Sequence, residues 1–155
     1  WNHKPSYGLW HLEDDKTLSI TTGKTALNPT MAQNTPTQRM IYPYCIATVT
    51  VDVSKLNNGD YAGLLVLQGN YAMVGVKREN GQNYIVSVVN DKNINPGIIG
   101  SNDVSEGKIS ETEEIQSDKI SFMVSADFHD MNDELNMFYE RDGKWVFVGS
   151  WCRSM

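Results

Sequence analysis

The stretch "DFHDMNDEL" gathers Asp127, His129, Asp130, Asp133 and Glu134 in one short run, the place in the chain that most invites a catalytic or metal-binding role. Several such oxygens could hold a structural calcium ion, which takes carboxylate and carbonyl ligands. The spacing is not that of an EF-hand, which needs a central glycine and a terminal glutamate, and no second histidine stands nearby to complete a zinc site. The plainer reading is a polar loop between two strands of the last hairpin. Carboxylate pairs can cleave glycosidic bonds when held about 5–10 Å apart, yet no sequence context singles out two of the many Asp and Glu side chains. Serine and histidine occur without a G-x-S-x-G elbow. A complete hydrolase is therefore the least supported reading.

Aromatic side chains offer a different chemistry. The chain holds four Trp and seven Tyr; flat rings stack on the C–H faces of sugars while Asn, Gln, Asp and Arg bond the hydroxyls. Trp1, Trp10, Tyr42, Tyr44, Tyr71, Tyr84, Trp145 and Trp151 form the pool. Most are expected to pack in the core or at strand edges, since strands favour aromatics anyway.

The elements that must position these groups read as strands. In "CIATVTVDV", Cys45, Ala47, Val49, Val51 and Val53 alternate with Ile46, Thr48, Thr50 and Asp52, which predicts one core face and one wetter face. "NNGD" (57–60) is a turn, and "YAGLLVLQG" after it is apolar on both faces, as expected of a central strand covered on both sides. Asn80-Gly81 and Asp142-Gly143 each sit between β-prone runs, and Asn, Asp and Gly tolerate the φ > 0 that two-residue hairpin turns need. In "KISFMVSADF", Ile120, Phe122, Val124 and Ala126 point to one face. Segments 28–36 and 90–117 read as loops, with Glu111, Glu113 and Glu114 in a solvated connection or a short helical turn. At least about seven closely spaced strands with turns between them, and almost no helix, predict an all-β, two-sheet antiparallel β-sandwich.

Bulk properties narrow the partners. A chain of 155 residues is long enough for one core, so residues 1–155 are expected to form a single module. Nineteen acidic against thirteen basic residues give a formal charge of -6, which opposes nucleic acid and anionic membrane surfaces. The two cysteines, Cys45 and Cys152, fit neither a zinc motif nor a redox pair; they could meet across a sheet, but two buried thiols are the plainer expectation. No apolar run reaches the roughly 20 residues that span a bilayer, and the N-terminus has no signal-peptide pattern. The chain begins at Trp1 without an initiator methionine, as expected of a piece cut from something longer.

A series of blocks carries a resemblance. "WNHKPSYGLW", then "TQR" with Pro43 and Cys45, then "ATVTVDVS", "GDYAGLLVLQ" and "YAMVGVK" resemble the C-terminal module of glycoside hydrolase family 43, which comprises β-xylosidases, α-L-arabinofuranosidases and relatives. Their order and spacing match over about the first half of the chain, with a looser strand-by-strand match afterwards. The resemblance implies a concanavalin A-like jelly roll, with the catalytic carboxylates elsewhere, on a five-bladed β-propeller preceding Trp1. It implies a non-catalytic accessory or carbohydrate-binding module that braces or covers the propeller of a xylan- or arabinan-degrading enzyme, with no cofactor. The isolated chain is then expected not to be catalytic. Expected partners are xylo- or arabino-oligosaccharides and the propeller of the same parent chain, with no nucleic acid and no membrane. Trp1, Asn2, His3 and Trp10 would line a sugar-facing or domain-facing surface, while Gln38 and Arg39 would bond hydroxyls or fix their loop. In the family a sandwich loop can lend an aromatic to the propeller pocket. Where the family usually has Thr-Phe-Gly-Pro after Gln-Arg, this chain has Met40, Ile41, Tyr42 and Pro43, so the contact would fall to Tyr42.

The family's modules generally continue into further strands, whereas this chain stops at Met155, so a sheet edge is expected to be paired or blunted by a loop. The alternative function is a free-standing, lectin-like module with its own sugar site on a sheet face. It would need exposed aromatics on one face, for which Tyr139 with Trp145 across the last hairpin is the candidate. The compartment stays open, because family members occur inside and outside bacterial cells.

Overall fold

Turn chemistry sets the strand order. Asn80 and Gly81 adopt φ of 51° and 81°, and Asp142 and Gly143 adopt 53° and 72°, so both pairs make the two-residue hairpins that their residue types predict. At 57–60 the Asp60 carboxylate accepts from the Asn57 backbone N–H (2.8 Å), and Gly59 takes φ 91°. Asn58 Oδ1 accepts from Gly81 N (2.8 Å), which ties this turn to the neighbouring hairpin.

The computed structural model describes residues 6–33, 35–68, 70–90, 106–131 and 133–152. Ten strands occur among them: β1 (Trp10–Leu12), β2 (Leu18–Ile20), β3 (Tyr44–Asp52), β4 (Tyr61–Gln68), β5 (Asn70–Glu79), β6 (Gln82–Asn90), β7 (Lys108–Ile115), β8 (Lys119–Asp127), β9 (Glu134–Arg141) and β10 (Lys144–Cys152). The chain divides into two units, residues 1–39 with 94–106, and residues 40–93 with 107–155.

In the first unit β1 and β2 form an antiparallel hairpin that pairs Trp10 with Ile20. Glu13 closes it by accepting from the Ser19 hydroxyl (2.7 Å) and lying 2.6 Å from His11 Nε2. Further on, buried Asn28 caps a single 3-10 turn (Pro29–Met31), its Oδ1 accepting from the backbone N–H of Thr30 and Met31.

The second unit is a sandwich of two four-stranded antiparallel sheets, β10-β9-β8-β3 and β4-β5-β6-β7. Between them lies a core of Val53, Ala72, Val74, Val76, Ile85, Ile120, Phe122, Val124, Ala126, Leu135, Met137 and Tyr139. The all-β sandwich expected from the alternation is therefore present, and Ile120, Phe122, Val124 and Ala126 all face its interior. A second cluster of Tyr71, Met73, Val86 and Val88, with Leu65 and Tyr84 against it, lies on the other face of the β4–β7 sheet.

Four expectations need correction. "YAGLLVLQ" is the edge strand β4 rather than a central one; β5 and β6 hold the centre. Leu64 and Val66 pack on the main core and Leu65 on the second cluster, so the apolar run reflects packing on both faces and not position in the sheet. The stretch "KISETEEI" is no loop or helical turn but strand β7, registered on β6 from Asn83↔Ile115 to Val89↔Lys108 with one irregularity between Ile85 and Val86. Its exposed charges suit an edge strand, where they discourage pairing with another chain. The acidic run around His129 lies between β8 and β9, not within the last hairpin, which is β9–β10. The cysteines are not two buried thiols: no disulfide joins them, Cys45 is half-buried on edge strand β3, and Cys152 is exposed on β10 at the opposite edge of the same sheet. With about 4.8 Å between neighbouring strands, that separation exceeds the reach of a disulfide. Among the described residues no strand pairs with the outer side of β10, whose pairing with β9 carries a register shift between Phe147 and Gly149.

Candidate functional site

At one end of the β10-β9-β8-β3 sheet, the segment entering β3 meets the segment leaving β8. Phe128 N donates to Pro43 O (2.8 Å), following a cis Tyr42-Pro43 peptide, and this holds the two segments side by side. The Tyr42 ring is 72% exposed and stands 6.5 Å from the His129 imidazole, tilted by 42°. His129 is itself fixed: its backbone N–H donates to Asp127 Oδ1 (2.9 Å), and its ring Nδ1 lies 2.9 Å from the same oxygen. These two contacts, the backbone one foremost, hold the Asp127 carboxyl below the ordinary carboxylate range. Asp130, Met131 and Asp133 follow in left-handed conformations, and Met131 is as exposed as Tyr42. This end thus presents an aromatic ring, a held imidazole and apolar side chains to solvent. Such a surface can stack on a sugar ring or dock on another domain.

It is poorly arranged for a metal. Among the described residues, no group of three or more His, Cys, Asp and Glu side chains converges as metal ligands would.

The other expected site residues are placed as follows. Trp1, Asn2 and His3 lie outside the described residues. Trp10 is part-exposed in β1, and Gln38 and Arg39 are exposed in the same unit, whereas Tyr42 belongs to the sandwich. Tyr139 and Trp145 do not share a face. The hairpin register pairs Tyr139 with Val146 and Trp145 with Glu140, so Tyr139 enters the core while Trp145 faces out. The two-residue turn carried this signal, since counting outward from Asp142-Gly143 gives the same pairs. The same count places Phe147 opposite Phe138, and their rings meet edge to face with centroids 5.7 Å apart. Sequence reasoning missed this exposed pair.

Two polar networks complete the sandwich. Between the sheets, the Tyr139 hydroxyl donates to Glu113 Oε1, and Glu113 Oε2 takes Arg141 Nη1 at 2.9 Å. Burial, then this carboxylate, pushes the Tyr139 phenol up from its ordinary value. At the far end of the β5–β6 hairpin lies an open cleft of about 250 Å³, walled by Arg78, Gln82, Asn83, Glu114, Gln116 and Asp118 among others. Its side chains bond one another: Gln82 and Gln116 both donate to Glu114 (3.0 and 2.6 Å), and Arg78 to Asn83 (3.2 Å). The cleft reads as a self-satisfied surface network.

Comparison with known proteins adds three findings. A family model described as the β-xylosidase C-terminal concanavalin A-like domain matches residues 1–151. No curated protein matches the chain. Among solved structures, a bifunctional GH43-CE protein of Bacteroides eggerthii is 33% identical with a TM-score of 0.79, over 96% of this chain and 18% of that one. A second is described as a GH43 glycoside hydrolase with an engineered active site that displays both endo-xylanase and exo-arabinofuranosidase activity. It is 20% identical with a TM-score of 0.83, over 99% of this chain and 31% of that one, and this likeness bears on the fold alone. The chain therefore spans less than a third of either protein.

Proposed function

Because the chain belongs to the family of β-xylosidase C-terminal concanavalin A-like domains, we propose that it is the non-catalytic accessory module of a family 43 glycoside hydrolase acting on xylan or arabinan. It braces or covers a catalytic propeller in the same parent protein, and residues 1–155 act as one module of that larger chain. The observation that carries this reading is the family match over residues 1–151. Tyr42 is the side chain we assign to the propeller pocket, because it is largely exposed beside the held His129 at the sheet end. Trp1, Asn2, His3, Trp10, Gln38 and Arg39 form the remaining sugar-facing or domain-facing set.

The test is an assay of the chain and of its parent enzyme on nitrophenyl xyloside and arabinofuranoside. The chain alone is expected to release no nitrophenol. In the parent, Tyr42→Ala is expected to lower kcat/KM about tenfold, the loss of one aromatic contact. Turnover by the chain alone, or an unchanged kcat/KM in Tyr42→Ala, would overturn the respective half of the proposal.

A further inference from the structure

The β10-β9-β8-β3 sheet has one face in the core and another that is open. On that open face the register sets Phe147, Phe138, Met123 and Thr48 in one row across all four strands. Phe147 is 55% exposed and locked edge to face against Phe138. Trp145, 41% exposed, lies two residues along β10 from Phe147, so the two side chains share the face about 6.8 Å apart. The aromatic row is bordered by neutral hydrogen-bonding groups, with Asn136 opposite both Ser150 and Ser125. Asn136 is oriented by its own donation to Glu134 Oε1 (3.0 Å).

We propose that the outer face of β9 and β10 is a binding platform for a neutral oligosaccharide chain, with Trp145, Phe147 and Phe138 as the stacking surface and Glu140 and Asn136 as hydrogen-bonding groups. The charge pattern selects this occupant. Glu140 is the cross-strand partner of Trp145, is exposed, and makes no ion pair with a described residue. A protein surface laid over Trp145 would desolvate that carboxylate, which is costly without a facing cation, and interface cores are depleted of such charges. A sugar hydroxyl donates to it directly, in a charge-assisted hydrogen bond. Glu134 and Asp127, paired across β9 and β8 on the same face, oppose uronic acids and other anions. The aromatic platform on β9 and β10 also lies apart from Tyr42, which precedes β3 at the opposite edge of the sheet.

The experiment is a titration of the ¹⁵N-labelled chain with xylohexaose, arabinohexaose and an oligogalacturonate, following the Trp145 indole N–H and the amides of Phe138 and Phe147. Expected are shifts at those groups with a neutral chain, weakened about tenfold by Trp145→Ala and by Phe147→Ala, and little affected by Tyr42→Ala. Phe147→Leu keeps apolar contact with Phe138 but removes the flat ring, and it too is expected to weaken binding. Absence of shifts at millimolar neutral sugar would overturn the proposal. So would binding that survives Phe147→Leu and Trp145→Ala, binding abolished by Tyr42→Ala instead, or tighter binding of the oligogalacturonate.

Discussion

The two sheets of the sandwich treat their outer faces in opposite ways. Along β8 burial alternates: Ile120, Phe122, Val124 and Ala126 are buried, while Ser121, Met123 and Ser125 are only partly so. Along β5 the buried run is unbroken from Tyr71 to Val76, because Ala72, Val74 and Val76 face the main core while Tyr71 and Met73 belong to the second cluster. Both strands are internal, so position in the sheet does not explain the contrast. The difference teaches that, among the described residues, the outer face of the β10-β9-β8-β3 sheet is the more open along its inner strands, and it is this face that carries Trp145, Phe147 and Phe138.

The contrast can be broken by truncations on the two faces. Phe122→Ala is expected to cost about 3–5 kcal/mol by urea unfolding, as for a buried Phe elsewhere, whereas Phe147→Ala should cost under about 1 kcal/mol. On the other sheet Met73→Ala and Ile85→Ala point to opposite faces, yet each is expected to cost about 2–5 kcal/mol. A near-neutral Met73→Ala would remove the distinction between the sheets.

A smaller effect sharpens the comparison at the β4–β5 pair. Gly63 and Gly75 lie directly opposite each other, and a Cβ on Gly75 would collide with the Ala62 carbonyl oxygen, a backbone atom that cannot rotate away. Gly75→Ala is expected to destabilise by about 1–3 kcal/mol, measured as a lowered urea midpoint. In contrast, Gly149 on β10 has only ordinary contacts around a built Cβ, so Gly149→Ala should be far milder.

The smallest effect is a pH dependence. Asp127 and Asp52, both on the β10-β9-β8-β3 sheet, are held below the ordinary carboxylate range, Asp127 mainly by the His129 backbone N–H and Asp52 mainly by the Ser54 hydroxyl. A lowered folded-state value means stability that is present above the unfolded pKa of about 4 and lost as pH falls through the folded one. Tyr139, raised by burial and by Glu113, works in the other direction: its contribution is full below about pH 10 and is lost as pH rises through the raised value. Urea midpoints across pH should therefore fall at both limits, with Asp127→Asn flattening the acid limb and Tyr139→Phe the alkaline one. An acid limb unchanged in Asp127→Asn would show that the carboxylate's contacts add nothing to folding.

Local chemistry made much of the fold legible. The alternation in "CIATVTVDV" and "KISFMVSADF" and the Asn80-Gly81 and Asp142-Gly143 turns each act within a few residues, and the strands and turns appear as read, except that Val49, expected on the core face, is exposed on edge strand β3. The order of family blocks was likewise legible, and the match over residues 1–151 agrees with it. Strand β7 was not, because "KISETEEI" has weak strand propensity of its own and is extended through its pairing with β6. The platform was half legible: counting from the Asp142-Gly143 turn would have set Phe147 opposite Phe138 and moved Tyr139 away from Trp145.

The sequence by itself thus determined the class of fold, the hairpins and the face to which each alternating side chain turns, since period and turn geometry are short-range properties of the backbone. Tertiary structure alone decided that β4 and β7 are edges, that Cys45 and Cys152 stand on opposite sides of one sheet, and that His129 comes to lie beside Tyr42. Each of these depends on which distant strands pair, and pairing is selected by the burial of all the faces at once rather than by any one segment.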